Sequence, residues 1–229
     1  MIIELKLAHD IKTEFDLNGL SGVFRKGWQK ARQFMFYSTC SIWYERNLDD
    51  PVSRITPGLD LEPDFLAHDK SELIEWLKWH QNRFPWIYLN KEIETALANK
   101  HIFFILKHKH NIIGYVKIGV GPTYIHDFDK TVVFEPGVAF IYDTFILPEY
   151  RGMNLALFAV NEVLRYFKER NFKKIICHIE KWNIPSVKTF KKAGFQAVDS
   201  IRFIRMGTLS FYLRNNYRPF FHLEKVLRY

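Results

Sequence analysis

The stretch from Val138 to Phe167 constrains this chain more than any other. Val138 to Leu147 is rich in apolar, β-branched and aromatic residues, which suits a strand covered on both faces. Pro148 cannot donate to a sheet ladder, so the strand is predicted to stop there. From Asn154 the pattern turns helical, with Ala156, Val160, Val163, Leu164 and Phe167 on one face. A helix that begins just past a strand end leaves its first N–H groups unpaired. The loop between the two is then an anion site, suited to a phosphate or pyrophosphate. Such a unit needs a sheet to sit in and a core to cover it. A chain of 229 residues, 48% hydrophobic and 17% aromatic, can supply both and is not a disordered one.

The rest of the chain supplies the other elements. Phe24, Trp28, Ala31, Met35 and Phe36 recur at helical spacing among Arg25, Lys26, Lys30 and Arg32. This predicts a basic amphipathic helix over 24–36, which packs on the domain or on a second copy as a homodimer, or touches a membrane surface. Thr39 to Leu48 alternates like a strand, and Asp49, Asp50, Pro51, Pro57, Gly58 and Pro63 punctuate the linker-like residues after it. A helix containing Leu73, Ile74, Trp76 and Leu77 is expected after an Asp69 cap, and a second over Leu89–Asn99. His101–Leu106 and Ile112–Val120 read as an antiparallel pair joined by the turn His108-Lys109-His110-Asn111. Residues 121–137 form a polar and aromatic excursion. Beyond Phe167 come a strand at Lys173–Ile179, a helix at 184–193 and two strands within Gln196–Leu209. The expectation is a mixed α/β sheet with helices on both faces, an extension over 1–50 and one domain over 51–229.

Two segments resemble one known family. Arg151-Gly-Met-Asn154-Leu-Ala156 is similar to the R-x-x-G-x-[GA] pyrophosphate loop of the GNAT superfamily, the acyl-CoA-dependent N-acyltransferases. Asn183-x-x-Ser186-x-x-x-Phe190-x-x-x-Gly194-Phe195 resembles the N-x-x-A-x-x-x-Y-x-x-x-GF element that follows the family's next strand. The resemblance implies a GNAT-like sheet whose fourth and fifth strands splay apart at the centre to admit the cofactor. It also implies transfer of an acetyl group from acetyl-CoA to a primary amine of a small molecule, an amino sugar by analogy. A longer-chain acyltransferase served by an acyl carrier protein and a non-catalytic CoA-binding protein of the same fold are the competing readings.

The resemblance assigns roles residue by residue. The diphosphate falls to the backbone N–H groups of Gly152, Met153, Asn154, Leu155 and Ala156, with the side chain of Arg151. Small residues matter there because backbone must approach the anion closely. Asn154 stands where the family usually has Gly, and Asn tolerates left-handed backbone better than most residues. Phe145 and Ile146 fall where the family's strand meets the pantetheine arm by strand addition, and a backbone N–H here would serve as oxyanion donor. Asn183 would line the cofactor side of the following helix or cap it. Phe190 replaces a Tyr that protonates the leaving thiolate. A thiol pKa near 8.5 still allows unassisted departure, with water, Tyr142 or Tyr150 as substitutes. For the base, Asp143 stands where many relatives place an acid, and an acid inside an apolar strand needs a reason. His126, Asp127 and Glu135 are further candidates for the acceptor wall.

The net charge of +8 favours acidic partners such as CoA phosphates or an acyl carrier protein. Nucleic acid would rest on charge alone and is set aside. Two cysteines, Cys40 and Cys177, make neither a disulfide framework nor a metal site, so no metal is expected and a reducing, cytoplasmic setting is the simplest inference. Met1 to Phe15 is interrupted by charge and does not read as a signal peptide, and no run is apolar enough to span a bilayer.

Overall fold

The computed structural model describes residues 36–66, 71–80, 101–125, 130–207 and 209–214. The helix expected at 24–36 (apart from Phe36), the Asp69 cap, the helix over 89–99, His126, Asp127 and the tail past Arg214 lie outside the described residues. The described residues divide into two units, one within Ser41–Ile201 and one formed by residues up to Cys40 with Arg202–Leu213.

In the larger unit the apolar runs pair into one sheet. In chain order its elements are β1 (Tyr37–Asn47), β2 (Glu62–Leu66), α1 (Ser71–His80), β3 (Ile102–His108) and β4 (Asn111–Gly119). Next come β5 (Thr123–Ile125), β6 (Lys130–Val132), β7 (Val138–Ile146), a 3₁₀ turn at Pro148–Tyr150 and α2 (Leu155–Glu169). β8 (Lys174–Glu180), α3 (Ile184–Lys192) and β9 (Gln196–Met206) complete it; the first residues of β1, to Cys40, and the last of β9, from Arg202, belong to the smaller unit. The order across the sheet is β9-β1-β8-β7-β4-β3-β2. Strands β2, β3, β4 and β7 pair antiparallel in turn, β7 and β8 run parallel, and β8 pairs antiparallel with β1. The β3–β4 hairpin turns through Lys109 and His110 at φ 49° and 63°, the left-handed pair that a two-residue loop requires. Within the excursion at 121–137, β5 and β6 form a separate two-stranded ladder.

Helices cover both faces, as the order of elements predicts. Directly paired residues share a face, and successive residues alternate. Trp76 of α1 lies edge-on to Tyr115 and Phe145, a registered pair, at 6.1 and 6.2 Å between centroids. Tyr166 of α2 stacks at 3.9 Å on Phe65, which pairs with Phe104 and through it with Val116. Tyr115 and Val116 are neighbours, so α1 and α2 lie on opposite faces. On α2, Leu155, Phe158, Ala159, Val160, Val163, Leu164 and Phe167 are buried, a wider stripe than the sequence pattern marked. In the smaller unit, β10 (Leu209–Arg214) neighbours the second half of β9, with Gly207 at φ 57° between them.

Candidate active site

The site begins where two strands part. β7 and β8 pair only from Val138↔Lys174 to Ile141↔Cys177, although β7 continues to Ile146 and β8 to Glu180. The cause is local. On β4, Ile118 pairs with Ile141 but Lys117 pairs with Asp143, so Tyr142 is an extra residue in β7. Such a bulge bends its strand and increases the twist. The divergence starts at that residue and opens a cleft of about 180 Å³ lined by Asp143, Thr144, His178, Glu180, Asn183 and Phe190, among others. The expected central splay is therefore present. At the base of the cleft Trp43 of β1, His178 of β8 and Phe140 of β7 stack on one another at 5.3 to 5.6 Å, tying three strands together below the opening.

The loop after β7 is held by its own backbone. Leu147 N–H donates to Ile113 O at 2.9 Å, Tyr150 N–H to Leu147 O, and Arg151 N–H to Pro148 O. Gly152 comes next at φ 83°, and Asn154 sits at φ 57°, ψ 19°, both left-handed. Asn154 occupies the N-cap of α2, but its side chain makes no capping bond. The first helical amide with a carbonyl partner is that of Phe158, bonded to Asn154 O at 2.9 Å. Among the described residues, the amides of Gly152 to Leu157 have no backbone acceptor. Of the expected loop residues, Gly152, Met153 and Asn154 are exposed, Ala156 is half-buried, and the Leu155 side chain is buried in the core. Arg151 is placed differently from a free anion ligand. Its Nε donates to Ile146 O at 3.0 Å, and its guanidinium lies 5.7 Å over the Phe145 ring, so part of its hydrogen-bonding capacity closes the end of β7.

Asp143 lies in the cleft with partners that the sequence pattern did not single out. Its Oδ2 accepts from Tyr115 Oη at 3.0 Å and pairs with Lys117 Nζ at 3.0 Å. The Lys117 side chain is 3% exposed and that of Asp143 37%. Phe145 is buried with its ring stacked on Tyr115 at 5.6 Å, and Ile146 is buried at the strand end. Past Ile141, β7 is paired among the described residues with β4 alone, which leaves its other edge toward the cleft. Asn183 lines the cleft and also caps α3, its Oδ1 accepting from Ser186 N–H at 3.3 Å. Phe190 lines the cleft, is 2% exposed, and packs edge-on against Phe195. Tyr142 Oη is engaged by His101 Nδ1 at 3.2 Å, and the Tyr150 ring is turned to His108. Glu135 is exposed in a turn and does not line the cleft.

Two further residues at or behind the cleft carry a signal in the sequence. Lys117, buried behind Asp143, is a cation within the apolar run Ile112–Val120, and Trp182, which lines the cleft and is 77% exposed, is a large aromatic just after a strand. The fully buried Cys177 closes the paired part of β7 and β8, and burial pushes its thiol pKa well up. Among the described residues no group of three or more His, Cys, Asp and Glu could hold a metal ion.

A parallel strand pair split beside a helix start with open backbone amides defines an α/β protein whose sheet is parted at its centre. Residues 68–195 match the family model described as acetyltransferase (GNAT) family, and the chain belongs to that family. It is 23% identical over 184 residues to a mycothiol acetyltransferase of Saccharomonospora viridis, a match that covers 77% of this chain and 57% of that protein. Among solved structures it resembles a GCN5-related N-acetyltransferase from Sphaerobacter thermophilus, with 11% identity, a TM-score of 0.54 and coverage of 82% and 57% of the two chains. A GNAT-family acetyltransferase from Colwellia psychrerythraea gives 16% identity, a TM-score of 0.52 and coverage of 77% and 56%. At these identities the structures show a shared fold. The chain spans little more than half the length of these relatives.

Proposed function

We propose that this chain transfers an acetyl group from acetyl-CoA to a primary amine of a small molecule, with an amino sugar as the acceptor class by analogy. The carrying observation is the conjunction of three features at one opening: among the described residues, a strand edge that leaves β8 past Ile141 and amides from Gly152 to Leu157 without a backbone acceptor, together with a carboxylate at Asp143. The amides and the outer nitrogens of Arg151 suit a diphosphate, and the free edge of β7 suits a pantetheine amide by strand addition. A left-handed glycine with open space around it fits backbone approaching an anion, and Gly152 has nothing within 4 Å of a built Cβ. Acetyl-CoA would supply an activated thioester carbonyl. Asp143 would take one proton from the acceptor ammonium; the amine nitrogen would then bond to that carbon as the C–S bond breaks, and the nitrogen's surplus proton would pass to water. No hydroxyl at 190 waits for the thiolate, so it leaves as such and is protonated by water. The mycothiol relative's name supports acetyl as the group moved. The free thiols Cys40 and Cys177 support a reducing, cytoplasmic setting. No helix among the described residues is long and apolar enough to cross a membrane.

The test is thiol release from acetyl-CoA across a panel of small amines that includes amino sugars, with Asp143→Asn as the control. The variant is expected to lose on the order of 10² to 10⁴-fold in turnover while still binding CoA. A wild-type chain that neither binds CoA nor releases thiol with any amine overturns the proposal. Release that requires an acyl carrier protein as donor would replace it with the longer-chain reading.

A further inference from the structure

We propose that Lys117 and Tyr115 form a latch on Asp143 that fixes which carboxylate oxygen meets the acceptor amine. The inference rests on the reading of Asp143 as the proton acceptor. Lys117 lies between the buried residues Val116 and Ile118, and its own side chain is 3% exposed. A buried ammonium needs a charged or hydrogen-bonding partner, and among the described residues its ion-pair partner is Asp143. That pairing depends on the bulge. In an uninterrupted ladder Lys117 would sit opposite Tyr142, and Asp143 would point to the other face of the sheet. The extra residue at Tyr142 therefore does two things at once: it starts the splay and turns the carboxylate onto the lysine.

Tyr115 stands two residues before Lys117 on the same face, and its hydroxyl adds a second bond to the same oxygen, Oδ2. Oδ1 has no partner among the described residues, while the side chain is 37% exposed and lines the cleft. One oxygen is held and the other is presented. The holder is itself wedged, since the Tyr115 ring stacks on Phe145 and meets Trp76 of α1 edge-on. Lys117 and Tyr115 act through Asp143 and are positioning residues.

The experiment is a double-mutant cycle on the full chain: Lys117→Met, Asp143→Asn and the two combined, with Tyr115→Phe alongside. The readouts are kcat and KM for the best amine of the panel, CoA affinity by calorimetry, and the melting temperature. Lys117→Met is expected to lower kcat on the order of 10²-fold with CoA affinity unchanged, because misplacing a reacting group has that effect. Tyr115→Phe should shift kcat in the same direction by less. In the Asp143→Asn background, Lys117→Met should change kcat by no more than about twofold, since a residue acting through Asp143 has nothing left to position. Asp143→Asn alone strands a buried ammonium and should lower the melting temperature. The combined variant removes both charges and keeps the cycle readable. An equal loss from Lys117→Met in both backgrounds overturns the latch, as does full activity of Lys117→Met. Unchanged turnover in Asp143→Asn sinks the underlying reading of Asp143 instead. If no amine turns over, a crystal structure of Lys117→Met decides. A carboxylate turned out of its wild-type rotamer supports the latch, and one left in place overturns it.

Discussion

Asn154 offers the sharpest test of whether the backbone after β7 aims the amides of α2. It is held at φ 57°, ψ 19°, makes no side-chain capping bond, and begins a helix whose first amides have no backbone acceptor among the described residues. Replacing it with Ala removes an exposed side chain and no capping bond. What changes is the fit of the residue to left-handed backbone, which costs an ordinary L-residue roughly 1–2 kcal/mol and Asn less. The expected destabilisation for Asn154→Ala is about 1 kcal/mol, a fall of about 2–4 °C in melting temperature for a chain of this size. Asn154→Gly should be neutral within about 0.5 kcal/mol, because easier left-handed backbone is offset by a freer unfolded chain. Binding separates the variants further. Gly should hold CoA at least as tightly as wild type, having no side chain beside the diphosphate. Ala should bind it up to about tenfold more weakly if the loop relaxes, since about 1.4 kcal/mol corresponds to that factor. Asn154→Asp keeps the backbone preference and places a negative charge at a helix N-terminus, so stability should hold or rise slightly while CoA affinity falls. Calorimetric titration of CoA and thermal melts on the four proteins give both quantities. If Ala matches Gly in both, or Asp binds CoA as well as wild type, the turn does not present amides to an anion and its role in binding is refuted.

Three other outcomes are expected from the same geometry. Phe190→Tyr puts a phenol at the cleft wall, and kcat should rise severalfold wherever thiolate departure limits the rate; a loss of activity in steady-state thiol release would show that this position does not serve the leaving group. Asn183→Ala removes the acceptor for Ser186 N–H and should lower stability by about 0.5–2 kcal/mol in chemical denaturation, with no loss expected if the cap is unimportant. Burial raises the pKa of the Cys177 thiol well above the ordinary thiol range, and burial followed by the nearby Cys177 raises that of the Tyr44 phenol. For both groups the folded state holds the proton more tightly than the unfolded one. Their stabilising contribution is thus complete below the unfolded values and is lost as pH rises past them, at up to about 1.4 kcal/mol per pH unit per group. Denaturation at stepped pH should show a slope above about pH 9, and the cysteine's share of it should disappear in Cys177→Ala.

The part of the fold that is written locally was legible. The strand–proline–helix succession at 138–167 fixed the end of β7 and the start of α2 to within a residue, because each boundary has a local cause in Pro148 and in the onset of helical spacing. Pairing is not local, and there the sequence is silent. Nothing in Thr39–Leu48 indicates that this early strand lies beside β8, registered from Ser41↔Glu180 to Asn47↔Lys174. The bulge at Tyr142 is likewise a property of two strands together and leaves no mark on β7 alone. Lys117 is the instructive omission. The criterion that singled out Asp143, a charge inside an apolar strand, applies equally to Lys117, and used on both it would have suggested the pair.

A strand that loses one neighbour usually frays, and β7 loses β8 at the point where a thioester would have to be held still. What replaces the missing ladder is contributed from the other side. Gly114 of β4 lets the two backbones close up, since a Cβ there would stand 2.5 Å from Ile146 Cδ1 and 2.7 Å from the Phe145 carbonyl oxygen. Leu147 N–H is tied to Ile113 O, and Arg151 Nε holds Ile146 O, so the strand end is fixed by one bond from β4 and one from the loop. Between them the Phe145 ring is clamped by Tyr115. Stiffness of this kind is what direct transfer needs, because donors and acceptors help only when they are in place before the charge develops. Under the proposed function Arg151 would serve both ends of the site: its Nε closes the strand, and its other two nitrogens would meet the anion. Its replacement by Ala should therefore reduce kcat as well as CoA affinity, whereas a pure phosphate ligand would lose affinity alone.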